Sequence, residues 1–272
     1  MPSSGAEARP LVVVKLGGSL ITRKREVEKL RPKVLHRLAE ELAAAGDRRL
    51  VVLHGAGSFG HPGAARFGLA AAPDRAHPAS ERGRGAAIVA SEVRRLHLAV
   101  LRELVAAGLR PWSIPLAGVA RNRTGRLASF ESRPFEEALA AGLVPVSFGD
   151  VVLDDSWGSS ILSADTAAVE LARRLKASRV VFATDVPGLL EGPAGGRRKV
   201  VAELGPEVVA TLRPAPGAID VTGGIRAKVE AMLEVAAAGA DAGLISGLTD
   251  GAVSRAVRGE AVYGSWAHAR AP

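Results

Sequence analysis

Residues 50–61, LVVLHGAGSFGH, decide how the rest of the chain is read. An apolar, β-branched run from Leu50 to Leu53 stops at His54 and opens into Gly55, Ala56, Gly57, Ser58, Phe59, Gly60 and His61. The pattern predicts a buried strand that ends in a loop with little side-chain bulk. Glycine permits the positive-φ conformations that turn successive amides inward, and a helix starting just downstream would add the positive end of its dipole. Such a loop can cradle an anion, and His61 at its exit supplies a further donor. The alternative is a tight strand-to-helix turn whose glycines serve packing alone.

A second loop of the same kind lies upstream. Residues 11–14 form another apolar run and lead into Lys15, Leu16, Gly17, Gly18 and Ser19. Two phosphate-sized cradles imply two phosphorylated ligands. Between them, residues 31–45 carry Val34, Leu35, Leu38 and Leu42 at helical spacing and stop at Gly46. Strand, helix and strand with short links make a βαβ unit, whose sheet is parallel and whose crossover is right-handed. Ligands collect at the carboxyl ends of such strands, where both glycine loops lie.

The pattern continues to the end of the chain. Residues 62–80, with three prolines, predict an irregular lid or pocket wall, and 85–107 a long helix striped by Ile88, Val89, Val93, Leu96, Val100, Leu101 and Leu104. A strand at 111–115, a polar loop at 118–125, a helix at 134–141 and a strand at 143–148 follow. A hairpin over 151–162 is the expected boundary between an N-terminal lobe, 1–150, and a C-terminal lobe, 151–272, that share one sheet. Beyond it come a helix at 165–175 capped through Ser163, Ala164 and Asp165, and a strand at 179–183. A hairpin tip at 192–198, helices at 206–212 and 224–238 and a strand at 242–246 complete the series. The expected fold is α/β, a three-layer αβα sandwich around a mostly parallel sheet.

Composition narrows the function. The chain has 272 residues, 47% of them hydrophobic, enough for a sizeable core. Aromatic residues make up 4%, too few for a base-stacking surface, and the basic residues behind the net charge of +8 are dispersed, so no nucleic-acid partner is expected. With no cysteine, disulfides, thiolate catalysis and cysteine-ligated metal sites are excluded. No run is long enough to span a membrane and residues 1–10 lack the apolar core of a signal peptide, so the expectation is a cytoplasmic protein with no membrane partner.

Several residues could carry chemistry, each with a plainer reading beside it. Lys15 at a strand end beside Gly17 and Gly18 could bridge two phosphates, or could mark the solvated end of the strand. Lys24, within Arg23, Lys24 and Arg25, could reach the same phosphates or form a basic turn. His61 suits a phosphate monoester, whose near-double charge favours a donor able to become cationic, or it could cap a turn. Asp165 sits at a helix start, where capping is its common role. Lys228, on the first turns of a helix after Thr222, Gly223 and Gly224, is electrostatically unfavourable there unless an anion is present. Thr184, Asp185 and Gly188 follow a buried strand and could form a nucleotide-binding turn or a plain one. Asp150 reads as a strand-end cap in preference to a metal ligand. No Walker sequence and no dinucleotide fingerprint is present.

Taken together, KLGGSLITRK at 15–24, HGAGSFGH at 54–61, SADTAA at 163–168, ATDVPGLL at 183–190 and IDVTGGIRAK at 219–228 resemble the amino acid kinase family in content and order. The His61 loop and the DVTGG segment are most similar to its isopentenyl phosphate kinase branch. The resemblance implies ATP-dependent transfer of a phosphoryl group to isopentenyl phosphate, with Mg²⁺ accompanying the nucleotide and a homodimeric assembly. It implies catalytic roles for Lys15, Lys24, His61, Asp165 and Lys228, with Asp165 holding the lysines. The acceptor would lie against Gly17, Gly18, Gly55, Ala56, Gly57, Gly60 and His61, and ATP against Lys15, Gly17, Ser19, Thr184, Asp185, Gly188, Gly223 and Lys228, with no dedicated protein metal site. The alternatives are a fosfomycin kinase or another small phosphate or carboxylate kinase on the same fold, and a nucleotide-binding sensor or storage module without catalysis.

Overall fold

Residues Leu11–Leu16 (β1) have no face to offer water, because all six are buried in the computed structural model. The structure describes residues 9–23, 26–46, 48–74, 76–77, 79–192, 198–211 and 224–269. After β1 come α1 (Gly18–Ile21), α2 (Pro32–Ala43), β2 (Arg49–His54), α3 (Gly57–Arg66), α4 (Ala79–Ala106) and β3 (Pro111–Ser113). A 3₁₀ turn at Leu116–Gly118 precedes β4 (Ala120–Arg123), β5 (Arg126–Phe130), α5 (Arg133–Ala140), β6 (Val144–Phe148), β7 (Asp150–Asp154) and β8 (Gly158–Leu162). The remainder is α6 (Ala164–Leu175), β9 (Arg179–Thr184), β10 (Leu190–Glu191), β11 (Lys199–Val200), α7 (Pro206–Thr211), α8 (Gly224–Ala237), β12 (Asp241–Ser246), α9 (Ala252–Arg258) and β13 (Gly264–Ala267).

Seven strands form the main sheet in the order β13-β12-β9-β1-β2-β6-β3. All neighbours are parallel except β13, which runs against β12. Strands from both halves of the chain therefore meet in one sheet at β1 and β9. A four-stranded sheet, β5-β4-β7-β8, and the small pair β10-β11 are separate from it.

The period of two along each strand decides what lies on each face. Val12, Val14 and Leu16 join Leu50, Val52, Val181 and Ile245 in a core with residues of α2, α4 and α9. Val13 joins Val51, Leu53, Val180, Phe182 and Leu244 in the opposite core, with residues of α5, α6 and α8. Lys15, two residues after Val13, is delivered to the α6 and α8 side. His54, two after Val52, is delivered to the α4 side.

The structure corrects several sequence expectations. Residues 57–66 are helical where an irregular segment was expected from 62, and Pro62 lies inside that helix. Proline there forfeits the bond to the carbonyl of Ser58, but the Glu28 N–H donates to that oxygen at 3.1 Å, so the carbonyl is not orphaned. The expected polar loop at 118–125 is the start of the β4–β5 hairpin, turned by Thr124 and Gly125 with φ of 51° and 75°. The cap of α6 is Ser163 alone, its Oγ accepting from the Thr166 N–H at 3.0 Å, which leaves Asp165 unoccupied by capping. Helix α9 and strand β13 were not anticipated. The hairpin tip expected at 192–198 is flanked by the paired β10 and β11, with 193–197 outside the described residues.

Candidate active site

At the carboxyl end of β1, Lys15 is only 8% exposed, and its ammonium lies 2.8 Å from Oδ1 of Asp165. The Asp165 Oδ2 accepts a hydrogen bond from Lys228 at 2.5 Å. β1, the first turn of α6 and the second turn of α8 thus converge on one carboxylate. The helix-start lysine that needed an anion finds it in Asp165. Burial lowers the Lys15 pKa to about 8, with the nearby Lys228 adding to the fall and Asp165 opposing it. Burial by itself would raise the Asp165 carboxyl, but the charges of Lys15 and Lys228 outweigh it and hold the group well below the usual carboxylate range. Two ammonium groups around one carboxylate leave a positive charge in excess, stationed where the sheet ends.

The two glycine loops lie against each other. A Cβ on Gly18 would stand 2.4 Å from the Gly57 nitrogen, so only glycine admits this approach. Ala56 is right-handed and Gly57 has a φ of 51°, the alternation that turns consecutive amides to one side. Thr22 ties the loops together, its Oγ1 donating to the Gly18 carbonyl at 2.7 Å and accepting from the Ser58 N–H at 3.0 Å. Among the described residues the N–H groups of Gly18, Ala56 and Gly57 have no partner. The other two expected amide donors are already used: Gly17 N–H donates to Ala183 and Gly55 N–H to Leu16, at 2.7 and 2.9 Å. Gly17 and Gly55 extend the sheet ladder and contribute space in place of hydrogen bonds.

A pocket opens over this arrangement, lined at its polar end by Lys15, Gly18, Gly55, Ala56, Gly60, His61, Ser163 and Asp165. Its lining also includes Ala64, Val89, Val93 and Val151, which belong to one hydrophobic cluster with Ile161 packed against it, so an apolar wall stands apart from the charged end. Val89 and Val93 belong to the apolar stripe of the long helix α4.

On the other side of the first glycine loop, Ser19 Oγ donates to Asp185 Oδ1 at 2.8 Å, and Thr184 Oγ1 donates to the same oxygen at 3.2 Å. The ends of β1 and β9 are thereby joined by one carboxylate. Gly188 is explained by packing, since a Cβ there would meet Ser265 Oγ at 2.7 Å and Val200 at 2.8 Å. Lys24, Thr222 and Gly223 lie outside the described residues. Asp150 lines the pocket but is taken up by the fold: it accepts from Arg94, from the Ala117 N–H at 3.2 Å and from the Val151 N–H at 2.8 Å. Among the described residues no three His, Asp or Glu side chains converge as a metal cage. The sequence reading uses His54 only as the end of a strand and gives His97 no role. The two are hydrogen-bonded beneath the pocket.

Known proteins resemble this chain in sequence and in fold. Residues 10–245 match the amino acid kinase family. An isopentenyl phosphate kinase of Methanothermobacter thermautotrophicus is 31% identical over 268 residues, covering 94% of this chain and 98% of that protein. One of Haloferax volcanii is 35% identical over 234 residues, covering 84% and 89%. An isopentenyl phosphate kinase solved by X-ray diffraction superposes with a TM-score of 0.82 at 28% identity, covering 94% of this chain and 99% of that one.

Proposed function

The chain belongs to the amino acid kinase family, and from that premise we infer that it transfers the γ-phosphoryl group of ATP to isopentenyl phosphate, giving isopentenyl diphosphate and ADP. The observation that carries this reading is the two-ended pocket. Its cationic, amide-lined end suits a phosphate monoester, and its Val89, Val93 and Ile161 end suits a short hydrocarbon. An acidic amino-acid acceptor would leave the apolar walls without a partner.

In the reaction an oxygen of the acceptor phosphate forms a bond to the γ-phosphorus while the bond from that phosphorus to the bridging oxygen of ADP breaks, its electron pair leaving with ADP. The attacking oxygen is already anionic, so no general base is needed. What the protein supplies is position and positive charge. Lys15 stands between the two cradles and neutralises the group in transit. Lys228 takes the nucleotide side, and Asp165 aims both ammonium groups. The amides of Gly18, Ala56 and Gly57 and the His61 ring hold the acceptor phosphate, and Gly60 lets α3 pack closely on Ala56 and Val93 at the pocket wall. Lys24, outside the described residues, is assigned to the same transferring phosphate.

The N-terminal lobe, 1–150, holds the acceptor and the C-terminal lobe, 151–272, holds ATP, with Ser19, Thr184 and Asp185 at the join. Mg²⁺ is carried by the nucleotide phosphates. No helix among the described residues is long and apolar enough to cross a membrane, and we place the enzyme in the cytosol as a homodimer. A binding module without catalysis would have no use for a buried lysine and a half-buried one on one carboxylate.

The test is ADP formation with Mg-ATP and a panel of isopentenyl phosphate, dimethylallyl phosphate, fosfomycin and N-acetylglutamate. Isopentenyl phosphate is expected to give a kcat/KM at least tenfold above fosfomycin and N-acetylglutamate. A higher value for either of those two acceptors overturns the assignment.

A further inference from the structure

His54 and His97 are buried, titratable and unused by the transfer described above. His54 ends β2 with no exposure, and His97, on α4, is 4% exposed. Nδ1 of His54 lies 3.1 Å from the Gly55 carbonyl oxygen, and its Nε2 lies 3.1 Å from Nδ1 of His97. Nε2 of His97 is in turn 2.8 Å from Ser113 Oγ on the edge strand β3. The Phe148 ring of β6 is stacked on His54, with centroids 5.4 Å apart, and tilted against His97 at 4.3 Å. The chain of contacts thus crosses the sheet from β2 over β6 to β3.

Chemistry assigns a direction to it. A carbonyl can only accept, so the hydrogen on His54 is placed at Nδ1, leaving Nε2 an acceptor. His97 then donates from Nδ1 and accepts at Nε2 from the Ser113 hydroxyl. Every group is satisfied with both rings neutral. Burial favours that state, lowering the His54 pKa to about 4 and that of His97 to about 3, with Lys15 adding to the first shift and Arg94 to the second.

The chain ends on the carbonyl of the Gly55–Ala56 peptide, whose other side is the Ala56 N–H. In a trans peptide the two point in opposite directions, and no cis peptide is present among the described residues. Ala56 lines the pocket with Lys15 and His61, and its N–H has no partner among the described residues. We propose that His54, held in one tautomer by His97 and Ser113, is a positioning residue: by fixing the Gly55 carbonyl it aims the Ala56 N–H at the acceptor's phosphate. This rests on the phosphate-acceptor reading above. Without the hold, the peptide plane is free to rotate, and the cradle loses a fixed donor but not its charges.

The test compares wild type with His54→Leu, which fills similar space without a donor, and His54→Asn, whose amide nitrogen occupies the position of Nδ1. His54→Leu is expected to lower kcat/KM for isopentenyl phosphate at least tenfold, with the KM for ATP within twofold of wild type. His54→Asn is expected to recover more than half of that loss on a logarithmic scale. Asn performing no better than Leu, an equal loss for both substrates, or no loss at all overturns the proposal. Should His54→Leu fail to fold, His97→Leu carries the test one link back, with a loss of threefold or more expected for the acceptor and none for ATP. An unselective change, or none, has the same contrary meaning there. Wild-type protein that forms no ADP with isopentenyl phosphate removes the functional reading itself. Normal wild-type turnover with indifferent variants removes this inference alone.

Discussion

Lys15 and His54 come off neighbouring strands, Lys15 paired with Leu53 and Leu16 with His54, and each is followed by a glycine loop. They face opposite sides of the sheet, and burial lowers both pKa values, to about 8 and about 4. The outcomes differ because the partners differ. Lys15 meets the Asp165 carboxylate and stays about nine-tenths cationic at pH 7. His54 meets a carbonyl, a second imidazole and a phenyl ring, and stays neutral. Charge is kept where a phosphoryl group must pass, and neutrality where only the direction of a peptide is held.

Removing the cation should break this comparison most severely. Lys15→Ala is expected to lower kcat by about 10² to 10³, the scale of losing one preorganised group from a transition state. Asp165 keeps Lys228, so the melting temperature should stay within a few degrees of wild type. Stopped-flow or steady-state turnover beside a thermal melt checks both halves, and near-normal turnover refutes the role. Asp165→Asn attacks the same cation indirectly. With its counter-charge gone, Lys15 loses the influence that raises its pKa, and two ammonium groups face each other. We expect a loss of about tenfold to a hundredfold at pH 7.5, or roughly 1.4 to 2.7 kcal/mol. The alkaline limb of the kcat/KM profile, expected near pH 8 in wild type, should move to lower pH. A profile that keeps its shape while activity falls would show that Asp165 does not act through Lys15.

How much of this was legible beforehand follows from what each residue advertises. β1 and β2 are continuous apolar runs, and the parallel sheet follows from them with little else. Lys15 and His61 stand out because a polar side chain interrupts or follows small residues. Asp165 did not separate from a helix cap on sequence alone, since the choice between Ser163 and Asp165 depends on where Lys15 and Lys228 arrive from other strands and helices. The helical course of 57–66 was obscured by Pro62, whose cost is met by Glu28, thirty-four residues earlier in the chain. The β4–β5 hairpin was hidden because Arg121 and Arg123 alternate with buried Ala120 and Asn122, a strand pattern too polar to read as one. His97 carries no local sign of its role, which exists only once α4 packs on β3 and β6 beside the end of β2.

A gentler perturbation sharpens the acceptor side. His61→Ala is expected to cost about 2 kcal/mol in kcat/KM for isopentenyl phosphate, roughly thirtyfold, the scale of a charge-assisted hydrogen bond. His61→Gln retains a neutral donor and should regain part of it. The Kd for ATP, measured by calorimetry, should be unaffected in both. A loss confined to ATP binding would place His61 on the wrong substrate.

The smallest expected effect concerns stability in acid, where the neutral imidazoles become a liability. Their folded pKa values, about 4 and about 3, lie below the unfolded value of about 6.5. Over the interval between, the unfolded chain binds more protons, so stability rises with pH. The contribution is fully present above about pH 6.5 and is lost as pH falls toward 4. For one such histidine the loss by pH 5 approaches about 2 kcal/mol, at 1.36 kcal/mol per unit. His36, exposed and raised by its hydrogen bond to Glu103, acts in the opposite sense, but equally in wild type and in a His97 variant. The difference between them therefore isolates the buried ring. We expect the fall in unfolding free energy from pH 7.5 to pH 5, from urea melts at each pH, to be smaller by about 1 to 2 kcal/mol in His97→Gln. Lys15→Ala should leave that fall nearly unchanged, because with a folded pKa of about 8 Lys15 is mostly cationic in both states over the interval. Equal falls in wild type and His97→Gln would mean that His97 is not held neutral, and the contrast between the two faces of the sheet would fail on that side.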